Sequence, residues 1–236
     1  MKLLTTSLIV LIATLSANAL DQALVDAEWA RGVMTGEGGV QWRVDVQSTG
    51  SDQRKGAFMA VGQNSKVYAE VIAPDSEKGK KYVAESDGSM FFWKPGLSRA
   101  LAVPRKQRLT GDAAIGDVVS TSFVDGYKVA SKEAGEVNGE PATVYTMKAN
   151  SLSDTYAQIK YWVTTDGNLG KKAEFYTRTG KLLRSSVMEY NNEVGGRPYL
   201  SKMVIDDSGR VIEMNFSEIT LKTYPDTLFD KDNLGG

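Results

Sequence analysis

The stretch SDGSMFFWKP at residues 86–95 combines a turn, an apolar aromatic segment and a strand-ending proline. Asp87-Gly88 suits the positive-φ positions of a tight turn. Residues 90–93 are too few for a helix and rich in aromatic side chains, so they predict a strand that Pro95 stops. Working outward, Val40, Trp42, Val44 and Val46 alternate with Gln41, Arg43 and Asp45, a half-buried strand with its apolar face on the even positions. Similar runs predict strands at 56–61, 65–72, 81–84, 99–103, 127–131, 142–149, 157–164, 171–176, 182–190, 199–206 and 211–221. Many are joined by turn words: Asp125-Gly126, Asn138-Gly139, Asp166-Gly167-Asn168, Thr179-Gly180, Gly195-Gly196 and Ser208-Gly209. Short, regular spacing with alternation predicts a mainly β chain, an antiparallel meander whose strands turn one face to a core or cavity and the other to water.

Two segments depart from this period. Residues 21–33 place Leu24, Ala27 and Arg31 on one face and Val25, Trp29 and Val33 on another, which predicts an amphipathic N-terminal helix ending at glycines. Residues 110–122 predict a short middle helix holding Ala113, Ala114, Ile115 and Val118, capped by Asp112. Ahead of both, Lys2, the apolar run 3–15 and Ala17-Asn18-Ala19 read as a cleaved signal peptide, residues 1–19, leaving 20–236 as one domain. No later segment is apolar enough to anchor in a membrane, and no cysteine is present to carry a lipid, so the expected location is the periplasm.

Composition narrows the function. Lys and Arg number 28 against 29 Asp and Glu, a balance that argues against a nucleic-acid binder. With neither His nor Cys the chain cannot build a Ser-His-Asp triad, a cysteine nucleophile, a typical zinc site or a disulfide. Asp112, Asp117, Asp206 and Asp207 read as cap and turn residues rather than catalytic carboxylates. The expectation is a binding protein with no cofactor, no metal and no catalysis.

Four segments carry a family resemblance: PDSEKG at 74–79, the hairpin at 86–95 leading to Arg99, the glycine-aspartate segment at 111–118, and the pair Tyr161-Trp162-Val163 with Phe175-Tyr176 through Gly180-Lys181-Leu182-Leu183. In this order they resemble the LolA-like superfamily, closest to the branch described as outer-membrane lipoprotein-sorting proteins, whose members are periplasmic carriers and chaperones of lipoproteins. The resemblance implies an incomplete, strongly curved antiparallel β-barrel of about eleven strands, with the N-terminal and middle helices as a lid over an apolar cavity. It also implies transport by lipid binding, with the acyl chains of a lipid or lipoprotein as ligand and an inner-membrane transporter and an outer-membrane acceptor as partners. A domain that docks to a transporter as an adaptor, or senses envelope lipids, would look the same. The family's carrier holds its lid with an arginine near a strand-ending proline, and the corresponding stretch 67–74 contains none.

Alternation nominates Trp42, Phe58, Tyr68, Met90, Phe92, Leu101, Tyr161, Phe175, Met188, Met203, Met214 and Phe216 as inward-facing. On the resemblance they would line the cavity, with Leu24 and Trp29 under the lid. Methionines at strand positions 147, 188, 203 and 214 suit a surface that adapts to flexible chains. Two basic clusters, Lys78, Lys80 and Lys81 and then Arg99, Arg105, Lys106 and Arg108, fit either solvated edges or contacts with anionic headgroups.

Overall fold

The computed structural model describes residues 21–33, 38–50, 53–86, 89–104, 122–152, 154, 156–207 and 209–235. Among them the chain forms one α-helix, α1 (Gln22–Ala30), and fifteen strands. The first six strands are β1 (Gly39–Gly50), β2 (Arg54–Gln63), β3 (Lys66–Ala73), β4 (Lys81–Ala84), β5 (Met90–Trp93) and β6 (Leu101–Ala102). They are followed by β7 (Tyr127–Val137), β8 (Glu140–Ala149), β9 (Gln158–Thr164), β10 (Gly170–Tyr176) and β11 (Leu182–Glu189). The last four are β12 (Asn192–Val194), β13 (Arg197–Tyr199), β14 (Lys202–Asp207) and β15 (Arg210–Lys222). The signal peptide, the turn Asp87-Gly88, the middle helix with Asp112 and Asp117, and Arg105, Lys106 and Arg108 lie outside the described residues.

Thirteen strands make one antiparallel sheet in the order β6-β5-β4-β3-β2-β1-β15-β14-β11-β10-β9-β8-β7, more strands than the resemblance implied, while β12 and β13 form a separate hairpin. The sheet does not close, since β6 and β7 pair on one side only among the described residues. Two meanders are therefore joined along a central seam, where β1 pairs with β15 in a register that sets Val44 opposite Phe216 and Val46 opposite Met214. Along β1 the even positions Val40, Trp42, Val44 and Val46 are buried, as alternation requires. On the other face Arg43 grips Asp45 through two hydrogen bonds of 2.8 Å.

Local chemistry sets the turns. Asn138 and Gly139 adopt φ of 53° and 81°, and Gly195 and Gly196 adopt 62° and 74°, the left-handed pairs of tight hairpins. Between β2 and β3 the same geometry is built from Asn64 and Ser65, at φ 50° and 59°, without any glycine. The largest apolar cluster draws on strands from both meanders and on Leu24 and Ala27 of α1. A smaller one lies apart, where Tyr224 and Phe229 of the C-terminal segment pack on Val61.

Candidate functional site

The inner face follows from the register. Val46 of β1 stands opposite Met214, Met214 opposite Met203, and Met203 opposite Met188, so one row of three methionines crosses β15, β14 and β11. Toward β10 the lining becomes aromatic: Phe175 lies 4.3 Å from Tyr156 and 5.2 Å from Phe123, and Phe123 meets Tyr161 edge-on at 5.4 Å, geometries that aromatic quadrupoles favour. Of the nominated residues, Leu24, Trp42, Phe58, Met90, Tyr161, Phe175, Met188, Met203, Met214 and Phe216 are buried in this cluster, with Trp29 and Phe92 packed at its margin. Tyr68 is elsewhere. The small side chains Val67, Ala69 and Val71 take the inward parity of β3, leaving Tyr68 on the other face beside Val61 and Phe229, where it donates to Glu70 at 2.9 Å. Leu101 sits on the two-residue edge strand β6 and is 46 % exposed.

α1 packs on β9, β10 and β13, and polar contacts hold it at both ends. Asp21 caps the helix by accepting the Ala23 backbone N–H at 3.0 Å. The same carboxylate accepts from Lys132 of β7 and, at 3.1 Å, from the Tyr145 hydroxyl of β8. The hydrogen bond from Lys132 is the main influence holding Asp21 below the usual carboxylate range, while burial, then Asp21 itself, pushes Tyr145 up to about 12.

The other anchor is buried. Glu28 and Arg31 form an ion pair of 2.7 Å with both side chains shielded from water. The second Glu28 oxygen accepts the Phe123 backbone N–H at 2.7 Å, and the Arg31 guanidinium lies 3.5 Å from the centre of the Phe123 ring. Burial opposes the Arg31 charge, yet Glu28, with Tyr161 and Tyr190, raises its pKa above the ordinary arginine value. Burial likewise drives the hydroxyls of Tyr161 and Tyr190 well above the usual tyrosine range, so both stay neutral. Tyr190 donates to the Gly170 carbonyl at 2.7 Å. Tyr161 presses on the same residue so closely that an added Cβ would fall 1.7 Å from its hydroxyl oxygen, which only glycine allows.

Sequence reasoning placed Arg31 on the face of Leu24 and Ala27 but drew no role from it. Here Arg31 is the C-cap of the helix and pairs with Glu28 of its last turn. Glu28 was missed; the signal was its i,i+3 spacing from Arg31 on an apolar stripe. Asp207, read as a turn residue, accepts from Arg184 at 3.2 Å and Arg210 at 2.9 Å at the rim of the inner face. Two of the three lysines of the first basic cluster are engaged locally: Lys80 pairs with Glu77, and Lys81 lies 5.3 Å from the Trp93 ring centre, while Lys78 is exposed. The arrangement is a buried apolar inner face with a helix packed on it and pinned by polar contacts. Among the described residues, no group of three or more His, Cys, Asp or Glu side chains could hold a metal, and no helix is long and apolar enough to cross a membrane.

A family model with the description "Uncharacterized protein" matches residues 63–235. The fold is similar to that of a LolA superfamily protein from Nitrosomonas europaea, with TM-score 0.73 and 24% identity over 89% of this chain and 97% of the other. It is similar to a domain described as an outer-membrane lipoprotein-sorting protein from Vibrio parahaemolyticus, with TM-score 0.72 and 16% identity over 91% and 99%. A DUF1329 family protein from Desulfovibrio piger gives 0.65 and 16% over 89% and 96%. No curated protein matches the chain.

Proposed function

The chain belongs to the family that this model describes and has the LolA-superfamily fold, and from that premise we propose that it carries acyl chains of a lipid or lipoprotein through the periplasm. The observation that carries this reading is the methionine row across β11, β14 and β15. Unbranched, polarizable side chains repack around flexible guests more readily than Leu or Ile, and they lie in the interior that the pinned helix α1 helps to fill. Each buried CH₂ is worth about 0.8 kcal/mol, so shielding even half of an acyl chain repays displacement of a seated helix. Cargo is taken up as α1 leaves the inner face, and hydrophobic transfer rather than covalent chemistry drives the cycle. An inner-membrane transporter would load the carrier and an outer-membrane acceptor would unload it.

A docked adaptor is the second reading, favoured by β7, an edge strand of 11 residues exposed over nearly its whole length. Delipidated protein titrated with a fluorescent fatty-acyl probe should reach a 1:1 endpoint. A probe that stays in solution at all protein concentrations would reject the carrier and leave the adaptor.

A further inference from the structure

A pocket of about 230 Å³ opens between α1 and the β12–β13 hairpin, walled by Asp26 and Trp29 on the helix, Leu169 before β10, and Arg197 and Tyr199 on β13. It is too small for a drug-sized ligand and of a size for a polar headgroup. Asp26 is held in place by two neutral donors, the amides of Gln22 at 2.8 Å and Asn168 at 2.9 Å. Among the described residues no cation pairs with it, and each carboxylate oxygen keeps a lone pair to offer. Arg197 lies 5.3 Å from the centre of the Trp29 ring, and among the described residues it makes no ion pair, with Asp26 or with any other carboxylate. Half-buried Asp26 and exposed Arg197 thus set opposite charges on the wall of one small pocket without forming an ion pair. Tyr199 adds to the wall, but it is buried and its hydroxyl is closed off from solvent.

From this arrangement we infer that the pocket binds a zwitterion joining a phosphate to a primary ammonium through a short linker. The phosphate goes to Arg197, which offers a planar fork of donors. The ammonium donates to the free lone pairs of Asp26. A quaternary ammonium has no N–H to give Asp26, and a purely anionic group would face its charge, so both are disfavoured. The inference deepens the carrier reading and rests on it for the source of the ligand: an ethanolamine phospholipid whose headgroup stays at the helix while its chains lie beneath. Free phosphoethanolamine is the other source of the same chemistry.

The test titrates the purified protein, and its Asp26→Asn and Arg197→Gln variants, with lysophosphatidylethanolamine, lysophosphatidylglycerol and a fatty acid of equal chain length, and separately with free phosphoethanolamine. Binding is read by calorimetry and tryptophan fluorescence. The ethanolamine lipid should bind about tenfold more tightly than the other two, and each variant should erase that preference while keeping fatty-acid binding. Equal affinity for all three lipids, or a preference that survives in both variants, overturns the headgroup site and leaves the carrier intact. If no acyl ligand binds but free phosphoethanolamine does, with loss in both variants, the pocket stands and the carrier reading falls. If nothing binds, both fall.

Discussion

Arg31→Met takes the cation from a pair whose two side chains are buried and leaves the Glu28 carboxylate on the Phe123 backbone N–H. Breaking a buried pair from one side typically costs about 3–5 kcal/mol, because the remaining charge has neither water nor a counter-charge. The double variant Glu28→Gln/Arg31→Met removes both charges and keeps an amide oxygen for the Phe123 N–H, so it should return to within about 2 kcal/mol of the parent. These contacts hold α1 rather than the strand ladder, and the loss should therefore appear as opening of the helix. Hydrogen exchange of amides in residues 24–31 reads it directly: a loss of about 4 kcal/mol accelerates exchange roughly a thousandfold. Amides of β1 and β15, at the central seam, should change far less. Helix exchange within tenfold of the parent in Arg31→Met, or a double variant no better than the single one, would refute the claim that this pair seats α1.

Gly170→Ala sets a methyl group against the Tyr161 ring and should destabilise the protein by about 3 kcal/mol, measured by urea unfolding. An unchanged midpoint would mean that β9 and β10 can separate at no cost. Asp21 titrates below its ordinary 3.8 in the folded chain, chiefly through Lys132. A depressed carboxylate adds stability above its unfolded pKa and loses it as pH falls through the folded one. Lys132→Ala should therefore lower stability at neutral pH by under about 1 kcal/mol, since the lysine is half exposed, with parent and variant converging below about pH 4. A constant gap at all pH values would assign the loss to something other than this carboxylate.

Where one parity of a strand is uniformly apolar, the fold was legible: β1 buries the residues that alternation selects. β3 misled because a single tyrosine outweighed three smaller residues of the opposite parity, though burial there goes to the face with the most apolar positions. The β12–β13 hairpin was read as a turn only, since strands of three residues are too short to display a period. The turn at Asn64-Ser65 escaped notice because it uses left-handed asparagine and serine instead of glycine. In the site, apolar positions were readable and polar ones were not. A glutamate and an arginine default to solvent, and what brings Glu28 inside is a backbone N–H at Phe123, distant in sequence and invisible to any local pattern.

The seam between β1 and β15 also dictates a timetable. Residues 39–50 can zip to β2 as soon as the first hairpin has been synthesised, but their other edge finds its partner only when residues 210–222 exist. Until then β1 offers an open row of amides and carbonyls with Trp42 and Val44 beside it, a template for wrong pairings. The last long strand of the chain thus acts as the keystone of its first, and such a distant closure makes folding slow. Loss of the final strand would leave two meanders, each with a raw inner edge, and the sequence resolves this only by finishing.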